Sequence, residues 1–236
     1  MTPDPLWRTI HDSLRGDIAA GRYRPGDKLP TEAALAARFC VNRHTVRRAL
    51  GALSEAGTIY TRRGAGAFVA DAPTDYPIGR RVRFHRNLRA AGRTPAREIL
   101  AVETRAASAR EAEALGLARG AAVHVCDGLS YADGVPLSLF QSTFPAERFP
   151  ALPETLRRLT SVTAALSECG LPDYTRASTR VTAKLATPTQ ARHLRITPGA
   201  PILRTIAINV DTDRRPVEYG RAWFAGDRIT LTLDTE

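Results

Sequence analysis

The sequence predicts an α+β chain of two domains, on three observations. Residues 29 to 69 hold two short helical patterns joined by a tight turn and followed by a glycine-hinged hairpin. Residues 71 to 77 are polar and proline-bearing, as a domain boundary tends to be. Beyond them, alternation of period two recurs between short capped helices, as in an α+β domain on an antiparallel sheet. At 236 residues there is room for two modest domains. The expected boundaries are 1–71 for the first, 72–79 for the linker and 80–236 for the second.

In the first domain, Asp4 before Pro5 signals a helix start, and Leu6, Ile10, Leu14 and Ile18 recur at four-residue spacing until Gly21. Pro25-Gly26 breaks the chain into a turn. Thr31 caps the next helix, which turns Leu35 and Phe39 inward. After the turn Cys40-Val41-Asn42, with Asn42 as cap, Arg43 opens a third helix that ends near Gly57. Its apolar stripe is Val46, Ala49, Leu50 and Leu53; Arg43, His44, Thr45, Arg47 and Arg48 occupy the polar side. Strands at 59–60 and 67–69 around Arg62-Arg63-Gly64-Ala65-Gly66 complete a winged helix-turn-helix.

The second domain opens with six arginines between Arg80 and Arg93 and no acid among them. Arg83, the backbone near Phe84 and His85 at the start of a short helix suggest an anion site; extra DNA phosphate contacts or a solvated run are the alternatives. Glu98 to Val102 is strand-like. Ser108 with Glu111 forms a capping box for a helix ending near Gly116. Strands Val123–Tyr131 and Pro136–Phe144 flank Asp133-Gly134, a hairpin signal. Ser161 caps a helix that ends at Gly170, and Pro188 opens another through Leu194. Thr175–Leu185, Pro201–Val210, Pro216–Phe224 and Ile229–Leu233 are further strands. On the first of these, strict alternation puts Arg176, Ser178 and Arg180 on one face. Two guanidiniums pointing together repel unless an anion lies between them; a solvent-facing strand paired with acids is the other reading.

The formal net charge is +10 and the sequence pI about 10.3, which favours polyanionic partners. Lys28 and Lys184 are the only lysines, so the bias toward arginine also fits GC-rich coding. Arginine at the start of a groove-facing helix can bond guanine O6 and N7 together, and Arg43 and Arg47, four apart, share a face. Thr45 suits a phosphate or a thymine methyl, Arg48 a backbone phosphate, and Arg63 the minor groove, with Gly64 and Gly66 permitting close approach. Thr31 joins this DNA-contacting set. Cys40, Cys126 and Cys169 are far apart and odd in number, which suits neither a disulfide framework nor a metal site. The five histidines sit in different elements, and no HExxH, G-x-S-x-G or Walker pattern occurs. The expectation is therefore a binding protein with no catalytic residues, cofactor or metal. No apolar run approaches membrane length, so a cytoplasmic location is expected.

The first third resembles the GntR family of bacterial transcription regulators, through Leu29-Pro30-Thr31-Glu32, Val41 to Leu50, Leu53, Gly57 and Arg63 to Val69. The resemblance implies that Arg43, His44, Thr45 and Arg47 read an operator and that Arg63 to Gly66 are wing contacts. Ala33 departs from it, standing where some relatives carry a DNA-contacting arginine. The second half resembles the effector-binding (UTRA) domain of the HutC subfamily, with its chorismate-lyase-like fold, through Leu115-Gly116, Ala132 to Pro136, Arg204, Pro216 to Tyr219 and Gly226 to Arg228. PhnF-type regulators of phosphonate use are the nearest subgroup, on Asp75-Tyr76-Pro77, Arg83-Phe84, Asn87-Leu88 and Arg176 to Arg180. This implies a homodimeric repressor on a palindromic double-stranded operator, released by a phosphonate- or phosphate-bearing effector. By position, its pocket holds Arg83, Phe84, His85, Ser161, Arg176, Arg180 and Glu218, with Ser178 and Ser130 beside them. Sugar-phosphate-sensing relatives carry arginines just before the Asp-Gly turn and a glutamate on the next strand; here those places fall near Gly128, Ser130 and Phe140.

Overall fold

The computed structural model describes residues 5–62, 64–70, 73–81 and 83–233, and the chain divides into two compact units, Met1–Ala72 and Pro73–Glu236. The first unit holds α1 (Leu6–Ala19), α2 (Glu32–Phe39), α3 (Arg43–Glu55) and the antiparallel pair β1 (Ile59–Arg62) and β2 (Gly66–Val69). Ile10, Leu14, Leu35, Val46, Leu53, Ile59 and Val69 meet in one buried core. Each fully buried leucine contributes roughly 1.5–3 kcal/mol by leaving water.

Caps fix where these helices start. Thr31 Oγ1 accepts from the Ala34 amide at 3.2 Å, and Asn42 Oδ1 from the Thr45 amide at 2.8 Å. Cys40, in the left-handed region at φ 52°, ends α2 and reverses the chain into α3. Asp17 ties α1 to α2, accepting from Arg22 at 2.9 Å and Arg38 at 2.8 Å. The expected Asp4 cap and the wing residue Arg63 lie outside the described residues.

The second unit contains β3 (Thr74–Pro77), α4 (Phe84–Ala90), β4 (Pro95–Ala106), α5 (Ala109–Leu115), β5 (Ala122–Ala132) and β6 (Val135–Pro145). Then follow α6 (Leu152–Leu159), α7 (Val162–Glu168), β7 (Thr175–Leu185), α8 (Pro188–Leu194), β8 (Pro201–Val210), β9 (Pro216–Ala225) and β10 (Ile229–Thr232). Six strands form an antiparallel sheet in the order β4-β5-β6-β9-β8-β7. Asp133 (φ 49°) and Gly134 (φ 76°) make the tight β5–β6 turn, both in the left-handed region that such a hairpin requires. Phe140, Leu152, Leu156, Val162 and Leu166 form a core between sheet, α6 and α7, while Phe84, Leu88 and Tyr76 extend it under α4 and β3. On the other side, Leu115 of α5 packs on Val123, Val125 and Tyr219, and Leu194 of α8 on Leu129 and Ile202.

Two expectations change here. The segment expected as a linker, 72–79, contains β3, which pairs in parallel with β10 and buries Tyr76. Its hydrogen-bonding partner lies at the far end of the chain, so no local pattern announces it. The strict alternation expected for Arg176, Ser178 and Arg180 is broken by a bulge: Arg176 pairs with Asn209, but Ser178 pairs with Ile208. One extra residue exchanges the faces beyond it. Arg176 therefore shares a face with Thr179, to which its Nη1 donates at 3.2 Å, and Ser178 and Arg180 are exposed on the opposite one.

Candidate functional site

On the first unit, α3 exposes Arg43, His44, Arg47 and Arg48 while its apolar stripe is buried. Thr45 is half-buried, and its hydroxyl donates to Asn42 Oδ1 at 2.9 Å, extending the cap. Arg47 is not a free cation: Nε donates to Glu32 Oε1 at 3.2 Å and Nη2 to Oε2 at 2.8 Å, a forked pair between α3 and the start of α2. That pair holds the Glu32 carboxyl below its usual range. The guanidinium of Arg48 lies 4.8 Å from the centre of the Trp7 ring, so α1 helps to orient it. Thr31, Arg47, Gly64 and Gly66 line one groove between α2, α3 and the hairpin turn. A Cβ at Gly66 would stand 3.0 Å from Lys28 Cε, and its φ of 109° disfavours any other residue. The wing thus closes over the Lys28 stem.

In the second unit, a cavity of about 100 Å³ opens on the sheet face covered by α4 and α7. Of the expected pocket residues, Phe84, His85, Ser130, Ser161, Arg176 and Glu218 line it. Ser161 spends its hydroxyl as the cap of α7, accepting from the Ala164 amide at 3.3 Å. Three expected residues do not line it. Arg83 precedes α4 with its Nη2 donating to Asp173 Oδ1 at 3.1 Å and to the Tyr174 carbonyl at 2.8 Å. Its guanidinium is 3.8 Å from the Tyr174 ring centre, so it acts behind the wall, not inside. Ser178 and Arg180 are excluded by the bulge described above.

The cavity has a directional polar chain. Arg176 Nε donates to Asn209 Oδ1 at 2.7 Å, Asn209 Nδ2 donates to Glu218 Oε2 at 2.6 Å, and Ser142 Oγ donates to Glu218 Oε1 at 2.6 Å. Buried Glu218 is thus hydrogen-bonded on both oxygens. Asn209 and Ser142 were missed from the sequence because each matters only through partners on other strands. The most consequential omission is Arg97, on β4. Its guanidinium lies 4.8 Å from the Phe84 ring centre and 4.6 Å from that of Phe140. Its Nε is buried without a hydrogen-bond partner. The available signal was register: Arg97 alternates with Ile99, which packs into the core, so an arginine stands in an inward-facing row.

Burial pushes the Tyr76 hydroxyl up to about 12, so it stays protonated. Burial first, then the charges of Arg97 and Arg89, push His85 below its usual value. Both therefore offer neutral hydrogen-bonding groups at neutral pH. Gly128 is required by close approach: a Cβ there would meet the Glu98 carbonyl oxygen and Phe140 Cζ, each at 2.5 Å. The Phe140 ring occupies that space and forms part of the cavity wall. No group of residues able to hold a metal ion occurs among the described residues, and no helix there is long and apolar enough to cross a membrane.

Comparison with known proteins agrees with both halves. Residues 6–69 match the family model of bacterial regulatory proteins of the gntR family, and residues 90–230 match the UTRA domain. An HTH-type transcriptional regulator of Rhizobium meliloti is 41% identical over 98% of this chain and 95% of its own length. The protein described as probable transcriptional regulator PhnF of Escherichia coli is 35% identical over 90% of this chain and 88% of its own. The crystal structure of PhnF from Mycobacterium smegmatis superposes with a TM-score of 0.67 at 27% identity, covering 96% of this chain and 99% of that one. A capped, arginine-bearing helix beside a hairpin wing, joined to a UTRA sheet, makes this chain a member of the gntR family of bacterial transcriptional regulators.

Proposed function

We propose that the protein is a homodimeric repressor of phosphonate uptake or utilisation genes, released from a two-fold operator by a small phosphonate or phosphate compound. One winged helix covers a half-site, so a palindrome needs two copies at fixed spacing. Arg43, His44, Thr45 and Arg47 read base edges in this proposal; Thr31, Arg48 and the wing contact backbone. The supporting observation for the effector is the cavity itself. It holds three arginines, Arg97, Arg176 and Arg221, and none is paired with a carboxylate among the described residues. Charges enclosed in this way favour an anion as the missing partner.

The test is an operator gel shift with the full chain, with and without 2-aminoethylphosphonate. Coupling of about 1–3 kcal/mol corresponds to operator affinity weakened roughly 5- to 150-fold. Operator affinity that ignores every small phosphonate and phosphate ester would remove the effector half of the proposal. A footprint confined to one half-site would remove the dimer.

A further inference from the structure

We infer that Arg97 anchors the tetrahedral head group of the effector. This rests on reading the cavity as the effector pocket. The rings of Phe84 and Phe140 lie against the guanidinium, which engages its π-surface and leaves the in-plane N–H groups for a ligand. The Nε is buried and unpartnered, a state that is unfavourable unless an acceptor arrives. A phosphonate or phosphate-monoester dianion presents two oxygens at the spacing of a guanidinium fork.

Glu218 adds a carboxylate to the same lining. Ser142 and Asn209 take one position on each carboxylate oxygen, and the remaining lone pairs can accept from an ammonium. The charge pattern therefore fits a zwitterion that carries an ammonium. A cavity of ~150 Å³ encloses benzene, roughly 25 Å³ per non-hydrogen atom, so about 100 Å³ matches the phosphorus and its three terminal oxygens.

The experiment is calorimetric titration of the full chain with 2-aminoethylphosphonate, phosphoethanolamine and glucosamine 6-phosphate. Arg97→Lys, Arg97→Gln and Arg180→Ala are titrated alongside, and thermal unfolding of each unliganded variant reports its fold. The wild type and Arg180→Ala should bind one or both of the two-carbon compounds alike, and the tighter of the two identifies phosphonate or phosphate ester as the source. Arg97→Lys keeps the charge but loses the fork, and should weaken binding by roughly 10- to 100-fold, with Arg97→Gln at least as weak. Unchanged affinity in a folded Arg97→Lys overturns the anchor and leaves the effector reading standing. Failure of the wild type to bind any of the three overturns the effector reading and the anchor together.

Discussion

The two domains present positive charge in opposite ways. On α3, Arg43, His44, Arg47 and Arg48 lie within six consecutive residues, exposed, on a helix held by its own cap and stripe. In the second domain, Arg97 comes from one edge strand of the sheet and Arg176 from the other, and both reach one cavity. The first arrangement is local and solvated, suited to a partner that is itself a long charged surface. The second is non-local and enclosed, so its energetics depend on what replaces water. A surface of the first kind tolerates change residue by residue; a site of the second kind does not.

Four substitutions and one pH profile break or sharpen this contrast. The largest effect should come from the ion pair between β4 and α5 in the second domain. Glu111 is buried, accepts from Arg105 Nη1 at 2.9 Å and Nη2 at 2.8 Å, and also takes the Ser108 amide. Glu111→Ala should cost about 2–4 kcal/mol in urea unfolding, since it removes the buried partner of Arg105 and leaves that side chain only the exposed Glu103. The same pair gives a pH signature. Arg105 and Ser108 lower the Glu111 carboxyl from 4.5 to about 2. The folded value lies below the unfolded one, so this stabilisation is complete above about 4.5 and disappears as pH falls through about 2. Stability of the second domain that stays flat down to pH 2 would contradict it.

Next, Arg43→Ala should weaken operator binding by about 1–3 kcal/mol and relax preference at one base pair, with folding stability unaltered. An unchanged footprint and affinity would refute its role. Asn42→Ala removes the α3 cap and should lower the stability of the first domain by about 1 kcal/mol, read by its thermal midpoint. The smallest effect belongs to Arg180→Ala. An exposed side chain off the cavity should change stability by less than about 0.5 kcal/mol, and effector release of the operator should be preserved. Loss of that release would restore Arg180 to the pocket.

How much could be read in advance follows the same division. The first domain was legible because Thr31, Asn42, the Val46-to-Leu53 stripe and the glycine wing are local signals, and each element forms where its cap and period place it. In the second, the Asp133-Gly134 turn and the Ser108–Glu111 capping box were equally local and equally clear. Three features were not. β3 needed β10, its parallel partner. The bulge near Ala177 has no signature in the strand's own residues, so Ser178 and Arg180 were assigned to the wrong face. Arg97 was overshadowed by the arginine run before it, two of whose members, Arg81 and Arg83, are occupied by Asp173. Density of charge along the chain pointed away from Arg97, whose buried Nε has no hydrogen-bond partner.

The crowding at position 128 bears on how such a pocket can change its specificity. Any side chain there collides with a ring, which could be traded for a smaller one, and also with the carbonyl of Glu98, which could not. An arginine at this point on β5 would require a smaller residue at 140 and a displacement of the neighbouring strand at once. A residue larger than glycine here therefore needs two coupled changes, one in the cavity wall and one in the backbone of β4.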